Sequence, residues 1–481
     1  MNFGSTKIST LFEKRKLFLL IFFFFCYSYT QSQTFFELKF GTPMDDRVRG
    51  MQQLSDGSIY LAGFSNAGPN GGYDIALAKV SPTGVVQWTK YYGKQVNEYA
   101  LFINKTQDDH LILCGETHQT ATGIDAWIMK IDSLGDVIWS SGISSNVNES
   151  FKYVEETSDG GFIMGGFQSD SSSSNDIFIV KTDSQGNFQW QKAFGGTDND
   201  YADAIKQTSD GGYIISADTK SWGLPDYQIY MIKIDSIGNF LWDNLSGGPF
   251  ADGCQGFITT SDQSYFTFGE SIVNWSLPYD FFLQLTDSTG MVQWQKNYGG
   301  LGSDAGFSAV ETPDSGFVIT GYSNSHDPST PIDLVLFKVD KNGDSLWTRY
   351  YGGSGIDIGY YITSCIGGGY LVAGTTWLND NDFYLIKIDE NGIVDVQENL
   401  SGNSSLLLYP NPGKIFFNLE SDHILKNPRF TIQDLFGRVL LSEIMMGDIS
   451  KINIDHSLEN GTYILSVETA SGISRQKFLV E

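Results

Sequence analysis

Basic residues are scarce in this chain: 30 Lys and Arg stand against 56 Asp and Glu in 481 residues, a net charge of −26. A surface that grips nucleic acid needs clustered cations to neutralise phosphates, so that function is excluded. Histidine is scarcer still. His110, His118, His326, His423 and His456 are the whole set, and no two have H-x-x-x-H or HExxH spacing, so a zinc site is unsupported. Of four cysteines, Cys26 lies in the N-terminal apolar segment; Cys114, Cys254 and Cys365 remain. An odd, widely spaced set argues against a disulfide framework. Cys114 reads as a small buried strand residue. The segment Gly63-Phe64-Ser65-Asn66-Ala67 lacks the last glycine of a nucleophile elbow. No glycine-rich phosphate loop joins a strand to a helix.

Long apolar runs are also lacking. The exception is residues 17–25 (LFLLIFFFF), preceded by Lys14, Arg15 and Lys16. It is short of the roughly 20 residues of a membrane span and has the layout of a secretory signal peptide. Residues 1–33 are therefore read as a signal peptide cut near Ser32 or Gln33. Phe25 stands where a lipobox needs a small residue, which argues against lipidation at Cys26. No transmembrane segment is expected after cleavage. A sustained 3.6-residue period is missing as well. With 53 glycines and 14% aromatics, short strands and tight turns are expected.

What is present is a repeat. Trp88, Trp139, Trp190, Trp242, Trp294 and Trp347 follow one another at intervals of 51–53 residues. Each closes a unit of four alternating apolar runs, the pattern of four antiparallel strands. The first two runs are joined by Asp-Gly signals such as Asp56-Gly57, Asp159-Gly160 and Asp210-Gly211, which supply the positive φ of a tight hairpin. The last two are joined by Asp-x-x-Gly, as at Asp132 and Gly135 or Asp235 and Gly238. An Asp also opens each third run: Asp74, Asp125, Asp176, Asp226, Asp280, Asp333 and Asp382. A carboxylate repeated in every unit reads as structural, because chemistry needs it once.

Seven units begin near Arg47, Tyr99, Ser150, Tyr201, Asp252, Asp304 and Asp357, and the last lacks its fourth run. Phe36, Phe40 and Gly41 carry the offsets of Trp190, Phe194 and Gly195, so residues 35–41 are expected to complete that unit and seal the ring. The expected fold is all-β: a seven-bladed β-propeller of four-stranded antiparallel blades over residues 34–399, then a linker at 400–405 and a small immunoglobulin-like β-sandwich over 406–481.

The pattern WQKAFGG, DGGYI, DIFIVKTDSQG resembles the beta-propeller repeats of secreted bacterial surface proteins over residues 35–399. The C-terminal order Tyr409-Pro410-Asn411-Pro412, Gly437-Arg438, Gly461-Thr462-Tyr463 and Lys477-Phe478-Leu479-Val480 resembles the type A sorting domain of the type IX secretion system. That resemblance implies a Gram-negative envelope, passage through the periplasm, the secretion machinery as partner, and release or attachment at the outer-membrane surface.

Two enzyme families are similar in part. The unit Asp-x-x-Gly-x-x-x-Trp resembles repeats of pyrroloquinoline quinone enzymes, without their calcium site or catalytic Asp. The sialidase Asp box spaces its Asp and Gly differently, and the Arg cluster is missing. Asp198, Asp200 and Asp203 are candidate calcium ligands, but lack an EF-hand loop; a solvated turn is preferred and no cofactor is expected. The loop between second and third runs varies most, and three copies carry an extra indole: Trp222, Trp275 and Trp377. Gathered on one face, these are the candidate ligand contacts. The expected function is therefore a secreted or cell-surface binding protein, an adhesin or carbohydrate binder with a polysaccharide or protein ligand, and no catalytic residues. The alternatives are an extracellular hydrolase, lyase or quinoprotein working at the central mouth, and a structural surface-layer component.

Overall fold

The structure is a computed structural model. It describes residues 35–480 apart from 120–122, 144–145, 170–173, 224–225, 273–277, 327–330, 378–379, 395–405, 410–415, 427, 435–438, 445–446, 456–457, 459–460 and 470–471. The expected leader, the linker and Trp275 lie outside the described residues. Within them the chain is all-β.

Six blades are consecutive four-stranded antiparallel sheets spanning 46–92, 97–143, 149–194, 200–246, 252–298 and 304–351. The seventh has Ile356–Ser364, Tyr370–Trp377 and Asn381–Ile388, and its outer strand is Phe36–Phe40 from the other end of the domain. The first strand of each blade lies against the first strand of the next, and that of blade 7 against Asp46–Gln53 of blade 1. The ring is therefore closed by the chain's own ends, leaving short outer edges.

The repeated residues each have a local cause. In the turn before the fourth strand of blades 2 to 6 an Asp Oδ1 accepts two backbone amides, as Asp183 does from Gln185 and Asn187 and Asp340 from Asn342 and Asp344; in blade 1 Ser81 Oγ accepts those of Thr83 and Val85. The recurrent Lys of the third strand bonds the Asp of the first hairpin, as in Lys181–Asp159 and Lys233–Asp210, both at 3.0 Å. At the positive-φ corner of that hairpin, blades 2, 5 and 6 have no glycine; Asp109, Gln263 and Ser315 adopt φ of 60–67° instead.

The tryptophan ladder forms the blade-to-blade contact. Trp190 stands opposite Lys181 in its own blade and meets Gly238 of the next; Trp139 meets Gly186 in the same way. A Cβ on any of the six turn glycines facing these indoles would stand 2.6–3.2 Å from the ring or a neighbouring side chain. Phe36 stands opposite Lys387 and against Gly84, taking the seventh place. The buried core is accordingly a ring of inter-blade clusters. One unites Val48, Met51 and Leu61 with Leu371, Phe383 and Phe36 across the closure.

The C-terminal segment is a small β-sandwich of two sheets. The first holds Leu406–Tyr409, Phe416–Lys426 and Asp448–Asp455. The second holds Val439–Ile444, Arg429–Asp434, Gly461–Thr469 and Gly472–Val480. Phe430, Ile432, Leu465 and Val467 alternate inward and are buried.

Candidate functional site

Every innermost strand breaks register at one place. The shifts fall between Val48 and Gly50, Ala100 and Phe102, Phe151 and Tyr153, Ala202 and Ala204, Cys254 and Gly256, Gly306 and Ser308, Gly359 and Tyr361. The residue left unpaired is Arg49, Leu101, Lys152, Asp203, Gln255, Phe307 or Tyr360. Bulges re-aim a side chain, and they recur beside functional sites. Here all seven line one central cavity of about 460 Å³. A repeat that is otherwise regular thus presents seven different side chains at one level of its channel.

One residue further along each strand, Phe102, Tyr153 and Tyr361 gather on one side, with ring centroids 4.2 Å (Phe102–Tyr153) and 5.9 Å (Phe102–Tyr361) apart. The Gln52 amide holds Tyr361 by its hydroxyl at 3.2 Å. The same position elsewhere is Ala204, Gly256 or Ser308, whose small side chains leave room for the cavity.

Further aromatic rings contact the lining residues and one another. Phe307 stacks on Tyr360 at 5.3 Å and also meets Tyr322. Arg49 bridges Tyr360 and Phe64, its guanidinium 4.6 Å and 5.5 Å from their ring centres. Phe64 then meets Tyr73 and Tyr99. In blades 3 and 4, whose Lys152 and Asp203 line the cavity, Phe167 meets Tyr201, and Tyr201 meets Tyr227.

The lining from these blades is also ionic. Lys152 Nζ bonds Asp203 Oδ1 at 2.9 Å, and the Cys254 amide donates to Asp218 at 2.6 Å. Burial raises the pKa of both carboxyls. Asp218 is raised further by the charge on Asp203, whereas Lys152 pulls Asp203 back. Deeper in, burial pushes Glu155 up to about 7, partly offset by Lys206 and the Gln207 amide.

The residues singled out in the sequence fall elsewhere. Trp222 is 38% exposed and leans on Tyr230 of its own blade at 5.0 Å; Trp377, 45% exposed, ends the second strand of blade 7. Neither lines the cavity. Of the calcium candidates, Asp200 is buried on Thr219, Ser221 and the Gly196 amide, and Asp203 is the partner of Lys152. Among the described residues no group of three or more His, Cys, Asp and Glu is placed to hold a metal ion. All three described cysteines are free and buried. Of the sorting residues, Tyr409 ends a strand, Gly461 opens one, Tyr463 is buried opposite Phe478, and Lys477 pairs with Ile464. Pro410, Asn411, Pro412, Gly437 and Arg438 lie outside the described residues.

The cavity residues had a signal in the sequence. Each stands three places after a buried acid that opens its blade: Asp46, Glu98, Glu149, Asp200, Asp252, Asp304 and Asp357. It is a column of the repeat in which the blades share no chemistry. Searching for what recurs passes over it.

No curated protein sequence matches the chain. A protein of unknown function from Dyadobacter fermentans is similar in structure, at 9% identity and TM-score 0.39, over 73% of this chain and 98% of that one. So is Trypanosoma rangeli sialidase in complex with the inhibitor DANA, at 9% identity and TM-score 0.41, over 90% and 85% of the two chains. Pyrococcus horikoshii acylaminoacyl peptidase is similar at 9% identity and TM-score 0.38, over 80% of this chain and 57% of its own. These likenesses say nothing of what this chain acts on. Residues 407–481 match the family described as the secretion system C-terminal sorting domain, and with the seven blades before it the chain is a β-propeller protein carrying a sorting domain of the type IX secretion system.

Proposed function

We propose that the propeller is the cargo of that secretion route, a binding protein that holds a saccharide in the mouth of its central channel. The observation that carries this is the ring of seven bulged residues, each different, on one cavity wall. Structural upkeep of a repeat favours the same residue in every blade, whereas ligand recognition needs different groups at different points. Phe307 and Tyr360 supply aromatic surface for a sugar, and Gln255, Asp203 and Ser308 supply hydrogen-bonding groups.

A glycan array probed with the exported protein tests this reading. Tyr360→Ala and Phe307→Ala should abolish the signal, while Trp222→Ala and Trp377→Ala leave it intact. The reverse pattern moves the ligand to the loop face of the propeller and sinks the channel assignment.

The Lys152, Asp203 and Asp218 group favours a second reading, a hydrolase or lyase acting in the same cavity. It ranks second because Asp203 is neutralised by Lys152, and Asp218 does not line the cavity. Product release from bound glycans, lost in Asp203→Asn, would put it first.

A further inference from the structure

Several cations of this chain are neutralised by a carboxylate. Arg47 is bonded to Asp45 at 3.1 Å, Lys152 to Asp203 at 2.9 Å, and Lys130, Lys181, Lys233 and Lys338 to the hairpin aspartates of their blades at 2.8–3.0 Å. The chain has 56 carboxylates for 30 cations. Arg49 is not paired in this way. Among the described residues no carboxylate and no hydrogen-bond acceptor engages its guanidinium; its neighbours are the faces of Tyr360 and Phe64. It does so while lining the central cavity.

From this we infer that the channel site selects an anionic saccharide, one whose carboxylate or sulfate docks on Arg49. The inference rests on the saccharide reading of the cavity given above. Two rings hold the guanidinium carbon 4.6 Å and 5.5 Å from their centres and take up none of its N–H groups. The N–H edge is left for a bidentate acceptor, which a planar carboxylate or a sulfate supplies. Tyr360 and Phe307, stacked beside Arg49, provide the ring face for the sugar that carries the anion. Asp203, the one carboxylate in the described lining, has a cation of its own in Lys152. A net charge of −26 repels anions at long range, so selection has to be made at short range by such a fork.

The test is calorimetric titration of the exported full chain with two matched pairs. One is an oligogalacturonide and its neutral methyl ester; the other is a dextran sulfate fragment and dextran. The anionic member of one pair should bind at least tenfold tighter than its neutral partner, and the pair that responds tells carboxylate from sulfate. Arg49→Gln should cost the anion on the order of tenfold to a hundredfold and erase the preference, with Arg49→Lys between. Thermal stability should fall only slightly in both variants, because Arg49 makes no hydrogen bond within the protein and gives up only its contacts with the Tyr360 and Phe64 rings. Equal binding of charged and neutral members, still abolished by Tyr360→Ala, overturns anion selection and leaves the saccharide site standing. A preference that survives in Arg49→Gln overturns the assignment to Arg49. Binding of no member overturns both readings.

Discussion

Phe36 lies against the backbone of Gly84, close enough that a Cβ on the glycine would stand 2.8 Å from the ring. Six tryptophans make the same contact with the turn of the following blade; this is the seventh, and it joins the first strand of the domain to its first complete blade. Gly84 also has a φ of 86°, which a side chain resists. Gly84→Ala should therefore destabilise the propeller by about 2 kcal/mol, adding left-handed strain to a steric clash. Phe36→Trp, which restores the residue of the other six blades, should be close to neutral. Chemical denaturation reads both. An unaffected Gly84→Ala would mean that the closure does not depend on this contact.

The hairpin corner of blade 5 is a place where the chain carries strain that it can lose. Gln263 has a φ of 67° and donates its amide to the Thr260 carbonyl, the geometry that Gly57, Gly160 and Gly211 adopt in sister blades. Its own side chain makes no hydrogen bond among the described residues. Gln263→Gly should raise stability by about 1 kcal/mol, since left-handed backbone costs a side chain roughly that much and glycine nothing. Asp109→Gly should not behave alike, because Asp109 accepts from the Ser55 hydroxyl of blade 1 at 2.6 Å and would lose that link. If both variants respond in the same direction, backbone strain is not what separates these blades.

These two cases show what was legible in sequence. Blade number and ring closure could be read because the turn and contact residues recur: Asp-x-x-Gly fixes a backbone geometry, and Trp over Gly fixes a neighbour. Phe36, Phe40 and Gly41 are legible for the same reason, as a displaced copy of a known frame. The cavity was hidden by that same method. A bulge has no residue signature of its own here, since Arg49, Leu101, Asp203 and Phe307 occupy it without shared propensity. Its position depends on how two strands pair. The extra tryptophans drew notice because they break the pattern, yet Trp222 and Trp377 sit on loops and strand ends away from the channel.

The sorting domain should be dispensable for folding of the propeller and needed for its export. Among the described residues, the inter-blade core clusters draw on none of the C-terminal sandwich. Deleting residues 406–481 should leave a protease-resistant propeller held inside the cell envelope. Fractionation and immunoblotting distinguish the outcomes. Surface display of the truncated chain would contradict the sorting assignment; a degraded chain would contradict the independence of the two parts.

Glu155 gives the propeller a pH dependence that can be assigned to one residue. Its carboxyl is buried beside the channel, with Oε2 lacking any hydrogen-bond partner, and burial raises its pKa from an ordinary value near 4.5 to about 7. Below about pH 4.5 the group is protonated both folded and unfolded and leaves stability unchanged. As pH rises, the unfolded chain ionises first, so stability falls until the folded group also ionises near pH 7, and the loss is complete above that. Glu155→Gln removes the ionisation and keeps the shape. It should be close to neutral at pH 4 and raise stability by about 2 kcal/mol at pH 8, the direction expected when an acid with a raised pKa is replaced. Melting curves of the two proteins across that range measure the difference. A variant that is less stable by the same amount at both ends would mean that Glu155 contributes through a hydrogen bond and not through buried charge.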